Sequence, residues 1–225
     1  MSEEIEYTEV EQQQPELSTR VQTWYQKNEK VIIYAVIGLV VLVGGYYAYQ
    51  YYQNGRNADA KEELYVIEEA FKNDSLDVIL KGKNGGMSAI DIADEYSGTK
   101  AANLAHYYLG ICYRNTGEYE FAIDELKKFS SDDVMISTIA LGAIGDSYME
   151  LGDLDQAISY HGKAVSNGDN KLTSPIYLFK AGIACEDAQD YAAAEKNYKA
   201  IKANYPDSRE AQTIDKYIAR AEALK

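Results

Sequence analysis

The chain has 225 residues, a formal charge of −14 at pH 7, three Pro and twenty-one Tyr, a composition that favours helix and leaves room for one medium domain plus an appendage. The acidic excess is spread out, with seven acids against three bases over residues 1–30 and twenty-nine against nineteen over residues 53–225. Such a surface, without a basic patch, repels phosphate backbones and excludes nucleic acid as a natural partner.

The first twenty residues are rich in Gln and Glu and too short to bury a core, so disorder is expected there, within a head and juxtamembrane segment reaching residue 30. Residues 31–49 then read "VIIYAVIGLVVLVGGYYAY", with no charged side chain before Arg56. A helix rises about 1.5 Å per residue, so this run matches a hydrocarbon layer roughly 30 Å thick. Trp24 and Tyr25 precede it, and Tyr46, Tyr47, Tyr49, Tyr51 and Tyr52 crowd its far end as interfacial aromatics do. Thirty mostly polar residues come before it and no small-x-small cleavage site follows, which argues for an uncleaved anchor over residues 31–52. Arg20, Lys27 and Lys30 on the N side outnumber Arg56 and Lys61 on the C side by one, favouring a cytoplasmic N-terminus and a domain at 53–225 outside the cytoplasm. Gly44 and Ala48 form a small-xxx-small pair that would let another membrane helix approach.

Two helical patterns follow, around 58–72 and 87–96, separated by the glycine-bearing stretch "KGKNGG". Beyond them one unit recurs: "LGICYRNTGEYEFA" at 109–122, "IGDSYMELGDLDQA" at 144–157 and "AGIACEDAQDYAAA" at 181–194. A small residue returns as Gly110, Gly145 and Gly182, spaced by 35 and 37 residues. Seven residues later stand Gly117, Gly152 and Gln189, and then Ala122, Ala157 and Ala194. The physical reading is a stack of helix pairs, in which the small residue of the first helix and the Ala of the second let backbones cross closely. The intervening Gly ends the first helix in a left-handed conformation. Gln189 departs from this pattern, so the third turn is expected to be less sharp. One such pair cannot bury its apolar face alone, so several must stack.

Leu109, Gly110, Tyr113, Gly117, Tyr119 and Ala122, with their counterparts and the closing Pro206, resemble the tetratricopeptide repeat (TPR). His106, Leu141 and Leu178 stand where that repeat usually has Trp. The expected fold is all-α: a single N-terminal transmembrane helix followed by a TPR-type α-solenoid with a C-terminal capping helix. Its parts would be a degenerate leading pair at 57–98, units at about 103–136, 138–171 and 175–206, and a cap at 208–225 with Ser208 as N-cap. With the short head, the anchor and "EYSGTKAANLAHYYLG", the chain is similar to the YfgM-like membrane-anchored TPR family of Gram-negative bacteria. That resemblance implies association with the Sec translocon and with periplasmic chaperones.

Catalytic and metal patterns are missing. Cys112 and Cys185 fall at similar places in separate units, so stacking holds them apart, and they are expected to be buried thiols. His106 and His161 have no ligand pattern around them, and "KGKNGG" lacks the Gly-Lys-Ser/Thr ending of a phosphate loop. No enzyme, no cofactor and no metal are expected.

In the TPR superhelix the first helices line the concave face. The resemblance places Leu104, Tyr107, Ile111 and Arg114 there, then Ile139, Asp146 and Met149, then Ile176, Phe179, Ile183 and Glu186. Asp146 and Glu186, with no balancing cation cluster at these positions, disfavour a clamp for acidic chain ends and suit an amphipathic or extended segment of another protein. Packing of the same residues against 57–98 is the competing reading. The expected function is a non-catalytic, inner-membrane-anchored scaffold binding proteins on the periplasmic side, whose partners would be Sec translocon subunits, a periplasmic chaperone or exported chains. The alternative is a self-associating scaffold of an envelope complex unrelated to secretion.

Overall fold

The structure, a computed structural model, describes residues 17–225, except the Ser18 side chain. The head expected to be disordered lies mostly outside these residues, but from Leu17 onward the chain is helical. Helix α1 runs Leu17–Lys72, so residues 17–20, the end of the stretch expected to be disordered, are helical. Extending an existing helix needs no new nucleus, and the Gln, Glu, Lys and Arg residues before Val31 are good helix formers.

The chain divides into two units, Met1–Tyr52 and Gln53–Lys225. In the first, the apolar part of α1 is long and apolar enough to cross a membrane, and its aliphatic side chains are exposed within the unit. Nothing stands within 4 Å of a Cβ placed on Gly44, and Ala48 is likewise exposed.

The second unit is all helix among the described residues. The last part of α1 is followed by α2 (Leu76–Lys81) and α3 (Ala89–Glu95), which opens with a capping box between Ser88 and Asp91. Then come the pairs α4 (Lys100–Thr116) with α5 (Tyr119–Lys128), α6 (Val134–Glu150) with α7 (Leu154–Asn167), and α8 (Ser174–Asp187) with α9 (Tyr191–Asn204). The final helix α10 (Ile214–Leu224) starts later than expected. The 3-10 turn Glu210–Thr213 comes first, with Arg209 at its N-cap and Ser208 Oγ accepting from Ala211 N at 3.2 Å, and Thr213 rather than Ser208 is the N-cap of α10.

The three turns inside the pairs are alike. Gly117, Gly152 and Gln189 have φ of 84, 76 and 61°, all left-handed. The next residue donates back to the first helix each time: Glu118 N to Tyr113 O at 2.8 Å, Asp153 N to Tyr148 O at 3.0 Å and Asp190 N to Cys185 O at 2.8 Å. This is the Schellman arrangement, and Gln189 adopts it despite its Cβ, so the third turn is as sharp as the others.

Three apolar clusters join the pairs. The first packs Ala60, Leu64, Ile67 and Ala70 of α1 on Ala101, Ala105, Leu109 and Cys112 of α4, with Ile79 and Ile92 closing it. The second joins Tyr107 and Ile111 to Ile123, Leu126, Ala140, Ala143 and Ile144, and the third joins Cys185, Tyr198 and Ile201 to Ile214 and Ile218 of α10. Both cysteines are free and buried, and burial pushes each thiol up to about 11.

Candidate protein-interaction groove

The small residues of the repeat sit under side chains one turn beyond the expected Ala. A Cβ on Gly110 would stand 2.4 Å from Leu126 Cγ, one on Gly145 2.7 Å from His161 Cε1 and one on Gly182 2.2 Å from Tyr198 Cε1. Leu126, His161 and Tyr198 each follow Ala122, Ala157 and Ala194 by four residues, and all three Ala are fully buried. The Ala thus brings the second helix close, and the residue a turn later fills the notch left by the Gly.

The expected concave positions divide into two groups. Tyr107 and Ile111 are only 8% and 6% exposed, so they belong to the core and line no open surface. Phe71 of α1 has its ring centroid 6.4 Å from that of Tyr107, and the Phe129 centroid lies 5.2 Å from it. Leu104 and Ile139 pack against the same cluster, while Ile176 is exposed at the start of α8. Arg114, Asp146, Met149, Phe179 and Ile183, in contrast, come together around a pocket of about 400 Å³ that Tyr119, Glu150, His161 and Lys180 also line.

Charge in this pocket centres on Asp146. Its carboxylate accepts from Lys180 Nζ at 2.6 and 2.7 Å and from Arg114 Nη1 at 3.4 Å. His161 Nε2 lies 3.7 Å away, and the imidazole is 1% exposed. Burial pulls the His161 pKa down to about 4, with Asp146 opposing and Lys180 adding to the fall, so the ring is neutral at ordinary pH. Its Nδ1 is buried without a hydrogen-bond partner among the described residues. Glu186, at the edge of the series, is held by Arg220 of α10, whose Nε donates to Glu186 Oε1 at 3.2 Å. The groove is therefore close to neutral, which corrects the expectation of unbalanced acids along it.

Two comparisons bear on the family. The chain matches the family described as tetratricopeptide repeat-like domain over residues 22–159, more than half of its length. The chain belongs to that family. A second family, described as tetratricopeptide repeat, matches residues 143–209, so the two matches together span the apolar helix and all the TPR pairs. No curated protein matches the chain. TPR domains are typically non-catalytic protein-interaction modules.

Several TPR groove residues escape a position-by-position transfer from one repeat to the next. Lys180 follows Phe179 directly and has no counterpart in the other two repeats, where Tyr108 and Ala143 stand. His161 comes from a second helix, outside the series considered for the concave face. Gly142 stands where the neighbouring TPRs have Tyr107 and Phe179, and the Tyr177 ring fills its place: a Cβ there would lie 2.0 Å from Tyr177 Cε1. His106, the other histidine, is structural. Its Nδ1 lies 2.6 Å from Glu125 Oε2, joining α4 to α5. Among the described residues no group of His, Cys, Asp and Glu has the arrangement of a metal site.

Proposed function

We propose that this TPR protein is a non-catalytic scaffold of the YfgM-like type, anchored in the inner membrane by residues 31–52. Its N-terminus lies in the cytoplasm, and the domain at 53–225 works in the periplasm. There it serves as an accessory factor of Sec-dependent translocation or of chaperone recruitment. The binding site is the groove bounded by Arg114, Asp146, Met149, Phe179, Lys180 and Ile183. One observation carries this reading: a pocket of about 400 Å³ in which three apolar side chains lie beside an ionic cluster, on a fold whose family binds proteins. That combination suits a segment inserting an apolar side chain while its backbone or polar groups meet the charged wall. Family resemblance supports the secretion role, and the apolar helix supports the anchor.

Photo-crosslinking from Met149 and Phe179 in native membranes tests it. Adducts with translocon subunits, a periplasmic chaperone or exported chains are expected. Their absence removes the secretion role, and adducts between copies alone favour self-association. Labelling of single cysteines introduced at Ser2 and Asp207 reports the sidedness, and outside labelling at Ser2 would reverse it.

A further inference from the structure

The helices α4, α6 and α8 are the first members of three consecutive pairs, and each gives one charged side chain to the same cluster. Arg114 of α4 and Lys180 of α8 both donate to Asp146 of α6, at 3.4 Å and at 2.6 and 2.7 Å. Among the described residues no other ion pair joins α4 to α6 or α6 to α8. Closer to the helix starts, apolar packing holds these helices: Tyr107 and Ile111 meet Ala140 and Ala143, and Tyr177 fills the place of a side chain at Gly142. Further along, the wall opens into the pocket, and the cluster spans it.

We propose that Asp146 is an electrostatic latch that sets the spacing of α4, α6 and α8 at the open part of the groove, and with it the calibre of the segment the groove accepts. With the carboxylate in place two cations converge on one anion. Without it the same cations face each other with nothing between. The three side chains are partly buried, at 30%, 23% and 39% exposure for Arg114, Asp146 and Lys180, so their interaction is screened less than that of fully exposed charges. His161 backs the carboxylate from α7, and Tyr119, Glu150 and Tyr177 complete the titratable surroundings. The consequence for partner choice rests on the docking role proposed above. The spacing itself is read with no partner present, so the two ideas fail separately.

Double electron–electron resonance on the full chain in lipid nanodiscs measures it. Spin labels on cysteines introduced at Thr116 and Asp187 report α4 against α8, and labels at Thr116 and Leu151 report α4 against α6. The native thiols are buried and stay unlabelled. Asp146→Asn is expected to lengthen the Thr116–Asp187 distance by about 1–2 Å and broaden it, the scale of helix shifts between alternative packings. Salt at about 1 M, where the Debye length falls to roughly 3 Å, should recover part of that change by screening the two cations. Lys180→Met should lengthen the same distance while leaving Thr116–Leu151 unchanged, because the Arg114 pair persists. Unchanged distributions in both variants, at full helicity by circular dichroism, overturn the latch. Should Asp146→Asn lose helicity, the Lys180→Met change, at the most accessible of the three side chains, decides alone.

Discussion

Gly145 lies directly under the imidazole of His161: a Cβ at Gly145 would stand 2.7 Å from both Cε1 and Nδ1 of that ring. The same notch holds Leu126 in the preceding pair and Tyr198 in the following one. A polar ring therefore occupies a position that its neighbours fill with largely apolar side chains, and its Nδ1 has no partner among the described residues.

That placement makes stability depend on pH. The His161 pKa falls from 6.5 to about 4 on folding, first through burial, so the unfolded chain takes up a proton sooner than the folded one. The sign follows from linkage: stability from this group is full above pH 6.5 and declines as pH falls toward 4, by about 3 kcal/mol at most. His161→Leu, shaped for the notch that holds Leu126, should flatten the profile between pH 6.5 and 4.5. It should also raise stability at neutral pH by about 1–2 kcal/mol, since an unsatisfied buried nitrogen disappears. Urea unfolding of the full chain in micelles at several pH values checks both effects.

Glycine substitutions should divide by their surroundings. Gly145→Ala pushes a methyl into the His161 ring and should cost about 1–3 kcal/mol, as overpacking does. Gly162, in α7, has nothing within 4 Å of its Cβ position, so Gly162→Ala should gain about 0.8–1 kcal/mol from helix propensity alone. Thermal unfolding of the two variants should move in opposite directions.

Gln189 holds a left-handed backbone at φ 61° where two sister turns use Gly. The side chain is exposed, so little contact is lost on removing it. Gln189→Gly should stabilise by about 1 kcal/mol by relieving the Cβ clash of that conformation. A melting temperature that fell would show the side chain contributing more than its exposure implies.

Helix α5 begins without a side-chain cap at Glu118, whereas Asp153 and Asp190 accept from Gln156 N and Ala193 N at the starts of α7 and α9. Glu118→Asp places the shorter carboxylate at the capping distance and should stabilise by about 0.5–1 kcal/mol. Amide hydrogen exchange in the first turn of α5 should slow accordingly.

Local features were legible in the order of residues. Nineteen apolar residues in a row make a membrane-length helix, and Gly110, Gly117 and Ala122 with their counterparts mark helix, turn and helix because each conformation depends on a few neighbouring residues. The family match fits that legibility, since the repeat period is written in the residues. Extension of α1 back to Leu17 and the late start of α10 were less legible, because helix ends depend on neighbouring turns that propensity alone does not fix. Which groove positions are open depends instead on how the helix pairs pack. Tyr107 and Phe179 occupy equivalent places in their repeats, yet Tyr107 is enclosed by Phe71 and Phe129 while Phe179 lines the pocket. The approach of Lys180, Arg114 and His161 to one carboxylate was decided in the same way, through the packing of four separate helices. Periodicity gives the direction of each side chain on its own helix. Exposure and charge pairing depend on what the adjacent pair brings opposite it, across 32 to 34 residues of chain.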